Sequence, residues 1–385
     1  MSLPRDPIAD GLAAFAATFG GKPAWVSRAP GRFNIIGEHV DYHGGSVLPV
    51  AIDRVVSACF LPVAGEDWDV LATVPGERSD LGDAATGWAR YVRGCIRLAR
   101  RRGMPVSGGR MILSGNVPLG GGLSSSAALE LAVLRVLDAA GDWGLGPEAL
   151  ALMAQEVEIA EVGVACGAMD QLASALGRRD HAIAIDCATL AHRTVPLGLE
   201  GTHAWVIVDS GVPRTLASVG YNQRRAEGEG ALAMLNRLLN ATHRWLSEFR
   251  TLDDLPLEAL PEVLMRRVRH VVSENDRVRK TVEALGRGDA AEAGALLNAS
   301  HRSLASDYEV SCPELDVLTE VLRATPGVEG ARLTGAGFGG CAVALVRHEA
   351  MAAVEAALPL IERQTKTRVS MLVCGTADGA SVEQA

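Results

Sequence analysis

Residues Pro118 to Glu130, PLGGGLSSSAALE, constrain this chain more than any other stretch. Three consecutive glycines leave a loop bare of side chains and three serines add hydroxyls. A helical repeat starts at once, with Ala128, Leu131, Leu134, Val136 and Leu137 on one face and Gly141 as its stop. Such a loop presents several backbone N–H groups and the positive end of a helix dipole, which suits a phosphate. Gly120, Gly121, Gly122, Leu123, Ser124, Ser125 and Ser126 are the expected cradle, and Ser126 can offer its oxygen to a magnesium ion carried by the phosphates. Taken alone, the same residues also read as a flexible turn with a serine cap.

A phosphate site needs positive charge, and this chain is short of the usual source. Its only lysines are Lys22, Lys280 and Lys366, and none follows a glycine-rich loop, so a Walker-type lysine is absent. Arginine, a metal ion and backbone amides must serve instead. The net charge of −9 opposes nucleic acid as a partner, because that binding rests on many Lys and Arg contacts. No apolar run approaches the roughly 20 residues of a bilayer span, and a cytoplasmic protein is expected. The seven cysteines are scattered and never form a Cys-x-x-Cys pair, which favours neither a disulfide framework nor zinc. At 385 residues the chain is long enough for two domains.

Three further segments carry chemistry. Pro30 to Pro49, PGRFNIIGEHVDYHGGSVLP, crowds Arg32, Glu38, His39, Asp41 and His43 between apolar strands. Such a density of hydrogen-bonding groups suits a polyhydroxylated substrate, although a polar surface hairpin has the same composition. Cys166 to Gln171, CGAMDQ, isolates Asp170 at the start of an apolar helix, where it either caps the helix or does chemistry. Glu158 stands twelve residues upstream, with Glu156 and Glu161 on a solvated face, and one of these carboxylates can ligate a metal. Arg332 to Cys341, RLTGAGFGGC, leads into the strand AVALV and not into a helix, so it is not a dinucleotide fingerprint.

Strands are expected in 47–61, 111–113, 181–185, 204–208, 342–346 and 368–373. Helices are expected in 124–141, 148–161 and 349–362, and a mostly helical stretch in 221–322 with Arg266, Arg267, Arg269 and Arg279 on polar faces. Pro196 and Gly198 mark a boundary, giving domains 1–197 and 198–385.

In order and separation, PGRFNIIGEHVDYHGGSVLP, PLGGGLSSSAALE and RLTGAGFGGC resemble the three motifs of the GHMP kinases, which phosphorylate small molecules with ATP. Glu38-His39, Asp41-Tyr42 and Gly45 behind Arg32 and Asn34 resemble the galactokinase signature within that superfamily. Trp88 with Tyr91, Tyr221-Asn222 with Arg224-Arg225, HVVSEND (270–276) and DYEVSCPELD (307–316) extend the similarity over nearly the whole chain. The resemblance implies an α+β, two-lobed fold with a mixed-sheet N-terminal domain binding sugar and ATP and a ferredoxin-like C-terminal domain. It implies Asp170 as the catalytic carboxylate, Arg32 between it and the phosphates, and Ser126 and Glu158 as ligands of Mg2+. It also implies sugar contacts at Glu38, His39, Asp41, Gly167 and Tyr221, and packing of Trp88 near the adenine of ATP. The implied reaction makes galactose 1-phosphate, the first committed step of galactose catabolism, in a monomer or weak homodimer.

Departures from the family pattern are Phe33 for Val or Leu, Val40 for Thr, His43 for Asn, Arg90 for Asn, Glu161 for an aromatic residue and Ala168 for Ile. Through His43, a titrating group near the sugar strip, and Ala168, a smaller neighbour of Gly167, they leave a kinase of N-acetylgalactosamine or of a pentose as a rival. A silent sugar sensor is the rival from another class, and its expected marker, loss of the serine loop or of Asp170, is missing.

Overall fold

The computed structural model describes residues 6–83, 85–118, 121–199, 201–213 and 217–385. Helix α1 (Pro7–Phe19) opens with Pro7 in its first turn and Asp6 as its cap, accepting from the Ile8 N–H at 3.0 Å. Then come β1 (Trp25–Asn34), β2 (Ser46–Val47), β3 (Pro49–Val63), β4 (Trp68–Ala72), β5 (Glu77–Ser79), α2 (Trp88–Arg101) and β6 (Gly108–Gly115). Helices α3 (Ser125–Gly141), α4 (Pro147–Val157) and α5 (Met169–Leu176) follow, then strands β7 (His181–Asp186) and β8 (His192–Pro196). The second half holds β9 (His203–Asp209), α6 (Ala217–Leu238), α7 (Glu262–Gly286), α8 (Ala290–Ser306) and α9 (Pro313–Ala324). It closes with β10 (Val328–Leu333), β11 (Cys341–Arg347), α10 (Met351–Thr365), β12 (Ser370–Val373) and β13 (Ser381–Gln384).

Six strands form a mixed sheet in the order β13-β1-β3-β6-β4-β5, with β4 and β6 parallel and the other pairs antiparallel. The expected apolar face of α3 is buried: Ala128, Leu131, Leu134 and Val136 are wholly inaccessible in the main core. A small sheet, β2-β7-β8, carries the end of the first segment.

The other large sheet runs β10-β11-β9-β12 and is antiparallel throughout. Counted in chain order along the sheet this is 4-1-3-2, with helices between β9 and β10 and α10 between β11 and β12, which is the ferredoxin-like arrangement. Phe33 of β1 packs on Trp205 of β9 with ring centroids 5.6 Å apart, so one core joins both sheets. The C-terminal strand β13 returns to pair with β1, from Trp25 opposite Gln384 to Arg28 opposite Ser381.

Two expectations are corrected here. Arg267 is not on a polar face: it is buried on α7 and pairs at 2.7 Å with both Glu227 and Glu309. The helix expected over 148–161 ends as α-helix at Val157 and continues as a single π turn, Glu158–Val162, a widening that often marks a functional position.

Candidate active site

The first, second and last sequence segments converge on one cavity of about 380 Å3. Its wall includes Arg32, Glu38, His39 and Asp41 from the first segment, Gly122 and Ser124 to Ser126 from the second, and Gly335 and Ala336 from the last. Glu158, Gly167, Asp170, Gln171, Tyr91 and Tyr221 complete it. Among the described residues, each of the three loops holds one non-glycine residue with left-handed backbone: His39 at φ 61°, Ser124 at 59° and Phe338 at 57°. Such residues cost on the order of 1–3 kcal/mol each and persist where the surrounding structure demands them.

Asp170 sits in the first turn of α5 and does not cap it. Its Oδ1 accepts from Arg32 Nε at 2.8 Å and lies 2.5 Å from Nη2, while its Oδ2 accepts from the Ser124 hydroxyl at 2.6 Å. Arg32 also donates through Nη1 to the Gly122 carbonyl at 2.6 Å, so one guanidinium locks the carboxylate to the glycine-serine loop. Ser124 precedes α3 without capping it, because its hydroxyl is committed to Asp170. Leu123 anchors the loop: its side chain is buried and its carbonyl accepts from the Arg32 N–H at 3.0 Å. Gly120 lies outside the described residues, and Gly121 approaches Cys341 of β11.

Glu158, at the head of the π turn, accepts from the Ser126 hydroxyl at 3.0 Å and from Gln171 Nε2 at 2.7 Å. Burial, then the neighbouring Asp170, pushes its carboxyl up to about 7. One hydroxyl and one carboxylate facing a phosphate cradle fit Mg2+, which keeps several waters and takes its remaining ligands from a nucleotide. Among the described residues no cluster of three or more His, Cys, Asp or Glu forms an all-protein cage.

On the sugar side, Asp41 is pushed up to about 7, first by burial and then by Asp170. Gly167 leaves room for it, since a Cβ there would overlap the Asp41 carboxyl. Glu38 is a junction between loops. Its Oε1 accepts from the Gly335 N–H at 2.6 Å and from Thr334 Oγ1 at 3.1 Å, and its Oε2 meets Asn34 and, at 2.7 Å, the buried Arg332. Helix α7 backs the strip: Glu274 accepts from the Gly37 N–H at 3.0 Å, Asn275 from the Ser46 N–H at 2.9 Å, and His270 donates to the Glu38 carbonyl at 3.0 Å. Burial alone would raise the Glu274 carboxyl, but Arg277, His270 and Arg332 hold it near 2.

Trp88 does not line this cavity. It lies in a separate depression of about 740 Å3 with Trp68, Arg78 and Thr86, its indole donating to Glu77 at 3.0 Å. Tyr91, one turn along the same face of α2, lines the catalytic cavity. His43 and Ala168 are buried behind the wall, and neither lines it. Burial, with Arg225 and His270 nearby, holds His43 down at about 3, so it is no titrating group at neutral pH. Arg90 and Glu161 meet each other, the guanidinium donating to the Glu161 carbonyl. Gln171, Thr334 and Gly335 are site residues to which sequence reasoning gave no role; Gln171 stood out only as the neighbour of Asp170, and the last loop as a glycine run matching a family motif.

Family models match the chain in three places. The galactokinase galactose-binding signature covers residues 13–62, the GHMP kinase N-terminal domain 90–178 and the GHMP kinase C-terminal domain 281–360. A galactokinase of Roseiflexus sp. is 40% identical over 95% of this chain and 94% of its own length. The chain belongs to the galactokinase family. A second galactokinase, from Chloroflexus aurantiacus, is 41% identical over 96% of each chain. The crystal structure of Lactococcus lactis galactokinase complexed with galactose superposes with a TM-score of 0.89 at 34% identity, covering 96% of this chain and 98% of that one. The Methanococcus jannaschii mevalonate kinase, at 17% identity and a TM-score of 0.66, shares the fold.

Proposed function

We propose that this chain is a galactokinase, transferring the γ-phosphoryl group of ATP to the C1 hydroxyl of α-D-galactose to give galactose 1-phosphate and ADP. The observation that carries the reading is Asp170, held by Arg32 and Ser124 between a phosphate cradle and a sugar strip. Asp170 takes the proton of the C1 hydroxyl as its oxygen attacks the γ-phosphorus and the bond to the β-phosphate oxygen breaks. Arg32 faces the negative charge that builds on the transferring group. Ser126 and Glu158 would hold Mg2+, which when bound neutralises phosphate charge. Gly121, Gly122 and Ser125 frame the phosphates, while Glu38, His39, Asp41, Gly167 and Tyr221 face the sugar hydroxyls. The Trp88 depression takes the adenine, and the triphosphate runs past Tyr91 into the cradle.

None of His43, Arg90, Glu161 or Ala168 lines the cavity, which supports D-galactose over N-acetylgalactosamine or a pentose. The serine loop and Asp170, both in place, support an enzyme over a sensor. The same reading divides the chain at 197/198 into a sugar- and ATP-binding domain and a C-terminal domain. It makes the enzyme a cytoplasmic monomer or weak homodimer. The test is ADP release with Mg-ATP across D-galactose, N-acetylgalactosamine, D-glucose, L-arabinose and mevalonate. Galactose-dependent turnover well above the others is expected; tight galactose and ATP binding with no ADP formed would refute it.

A further inference from the structure

Residues 163–167 run between two carboxylates of the site, Glu158 at the head of the π turn and Asp170 on α5. Gly163 at φ 79° closes the turn, and Val164, Cys166 and Gly167 stand on the cavity wall. The stretch is neither strand nor helix, and its backbone supplies one local bond, from the Cys166 N–H to the Val164 carbonyl at 2.8 Å. Side chains from two other helices hold it. Gln155 of α4 donates to the Cys166 carbonyl at 3.0 Å. From α6, in the second half of the chain, Arg225 donates through Nη1 to the Ala165 carbonyl at 2.7 Å, and Asn222 accepts from the Ala165 N–H at 3.4 Å. Glu229, one turn further along α6, accepts from Arg225 Nε at 2.8 Å and so aims the guanidinium. Asp170 is tied by Arg32 and Ser124, and Glu158 by Ser126 and Gln171, so neither carboxylate depends on this grip from α6. Gly167 instead sits by contact, packed so closely on the Asp41 carboxyl that a Cβ there would overlap it. Its place follows from where Ala165 and Cys166 are pinned.

We propose that Arg225 is a positioning residue for the sugar: by pinning the Ala165 carbonyl it holds Gly167 against Asp41 and sets galactose affinity, with no part in phosphoryl transfer. The inference rests on the galactokinase reading for its substrate but not for its geometry. Gln155 still anchors Cys166 when the bonds from α6 are gone, so their loss loosens the stretch without unfolding the protein.

Arg225→Met keeps an unbranched stem and removes the donors, while Asn222→Ala, at an exposed position, removes the second contact and no charge. Two readouts are decisive: hydrogen exchange of the ligand-free protein, followed by mass spectrometry, and steady-state kinetics. In Arg225→Met the peptide spanning 163–168 exchanges about fivefold faster, and peptides of β1 and α5 keep their wild-type rates. The galactose KM rises about tenfold, the scale of one lost hydrogen bond to a charged group, while kcat and the ATP KM stay within about twofold. Asn222→Ala moves both readouts in the same direction by a smaller factor. Unchanged exchange in 163–168 would overturn the proposal even if the galactose KM rose, because Arg225 also lies near Asp41 and the loss of its charge would then explain the change. Equal losses in galactose and ATP KM, or a fall in kcat to match, would overturn it too, since they mark a merely structural role. Exchange is read without sugar, so a wild-type protein indifferent to galactose would sink the galactokinase reading while the exchange still judged the grip on Ala165.

Discussion

Single side chains carry the chemistry, and their neighbours decide how. Ser126 meets Glu158 directly at the cavity wall, so Ser126→Ala should shift the magnesium titration of activity to higher concentration, about tenfold; an unchanged titration would remove Ser126 from the metal site. His43 shows how a departure from the family pattern is absorbed. Its ring occupies the place where a Cβ on Gly228 of α6 would stand, so this glycine, costly inside a helix, makes room for it. Gly228→Ala should therefore destabilise by about 1–3 kcal/mol despite alanine's better helix propensity. The double variant His43→Asn, Gly228→Ala should be more stable than the sum of the two single changes, read by chemical denaturation; strict additivity would show that the two sites do not meet. His43 and Gly228 are both plain in the sequence, yet their separation of 185 positions along the chain hides that they touch.

At the level of elements, the legible parts were those with a local signature. The face of α3, the strand Cys341–Arg347 and the crowded strip after β1 all follow from period and composition. Arg267 did not, because a charged residue in a helical stretch is normally solvated, and only Glu227 and Glu309 from elsewhere in the fold make its burial tolerable. Strand β13 was also illegible: SVEQ is short and polar, and its place is set by β1 across the whole chain. Glu38 belongs to both worlds. The strip marks it as a sugar contact, while its bonds to Arg332, Thr334 and Gly335 make it the tie between the first and last loops. Arg332→Met should cost about 3–5 kcal/mol, since it leaves the Glu38 carboxylate buried without its cation. A loss below about 1 kcal/mol in urea unfolding would show that the pair is not structural.

Across the whole molecule, the cavity is an acidic site assembled at a cost in stability. Asp41 and Glu158, both raised to about 7, and Glu130, raised by burial, bind protons in the fold that the unfolded chain gives up, so they stabilise below their unfolded values and lose this as pH rises through 7. Buried His39 and His43, lowered to about 3, and His270, lowered to about 4, work the other way, because the unfolded chain binds their protons below about 6.5. Ligand-free stability should peak near about pH 6 and decline toward 8, read as the thermal midpoint across pH, and Asp41→Asn should flatten the decline; rising stability from 6 to 8 would contradict these assignments. The central claim is that Asp170, gripped by Arg32 and Ser124, is the base for sugar phosphorylation. Asp170→Asn, nearly the same in shape, tests it most directly, with galactose binding followed by calorimetry and turnover by ADP release. The account predicts binding retained and turnover lost by at least about a thousandfold; a variant that still phosphorylates galactose at a substantial fraction of the wild-type rate would contradict it.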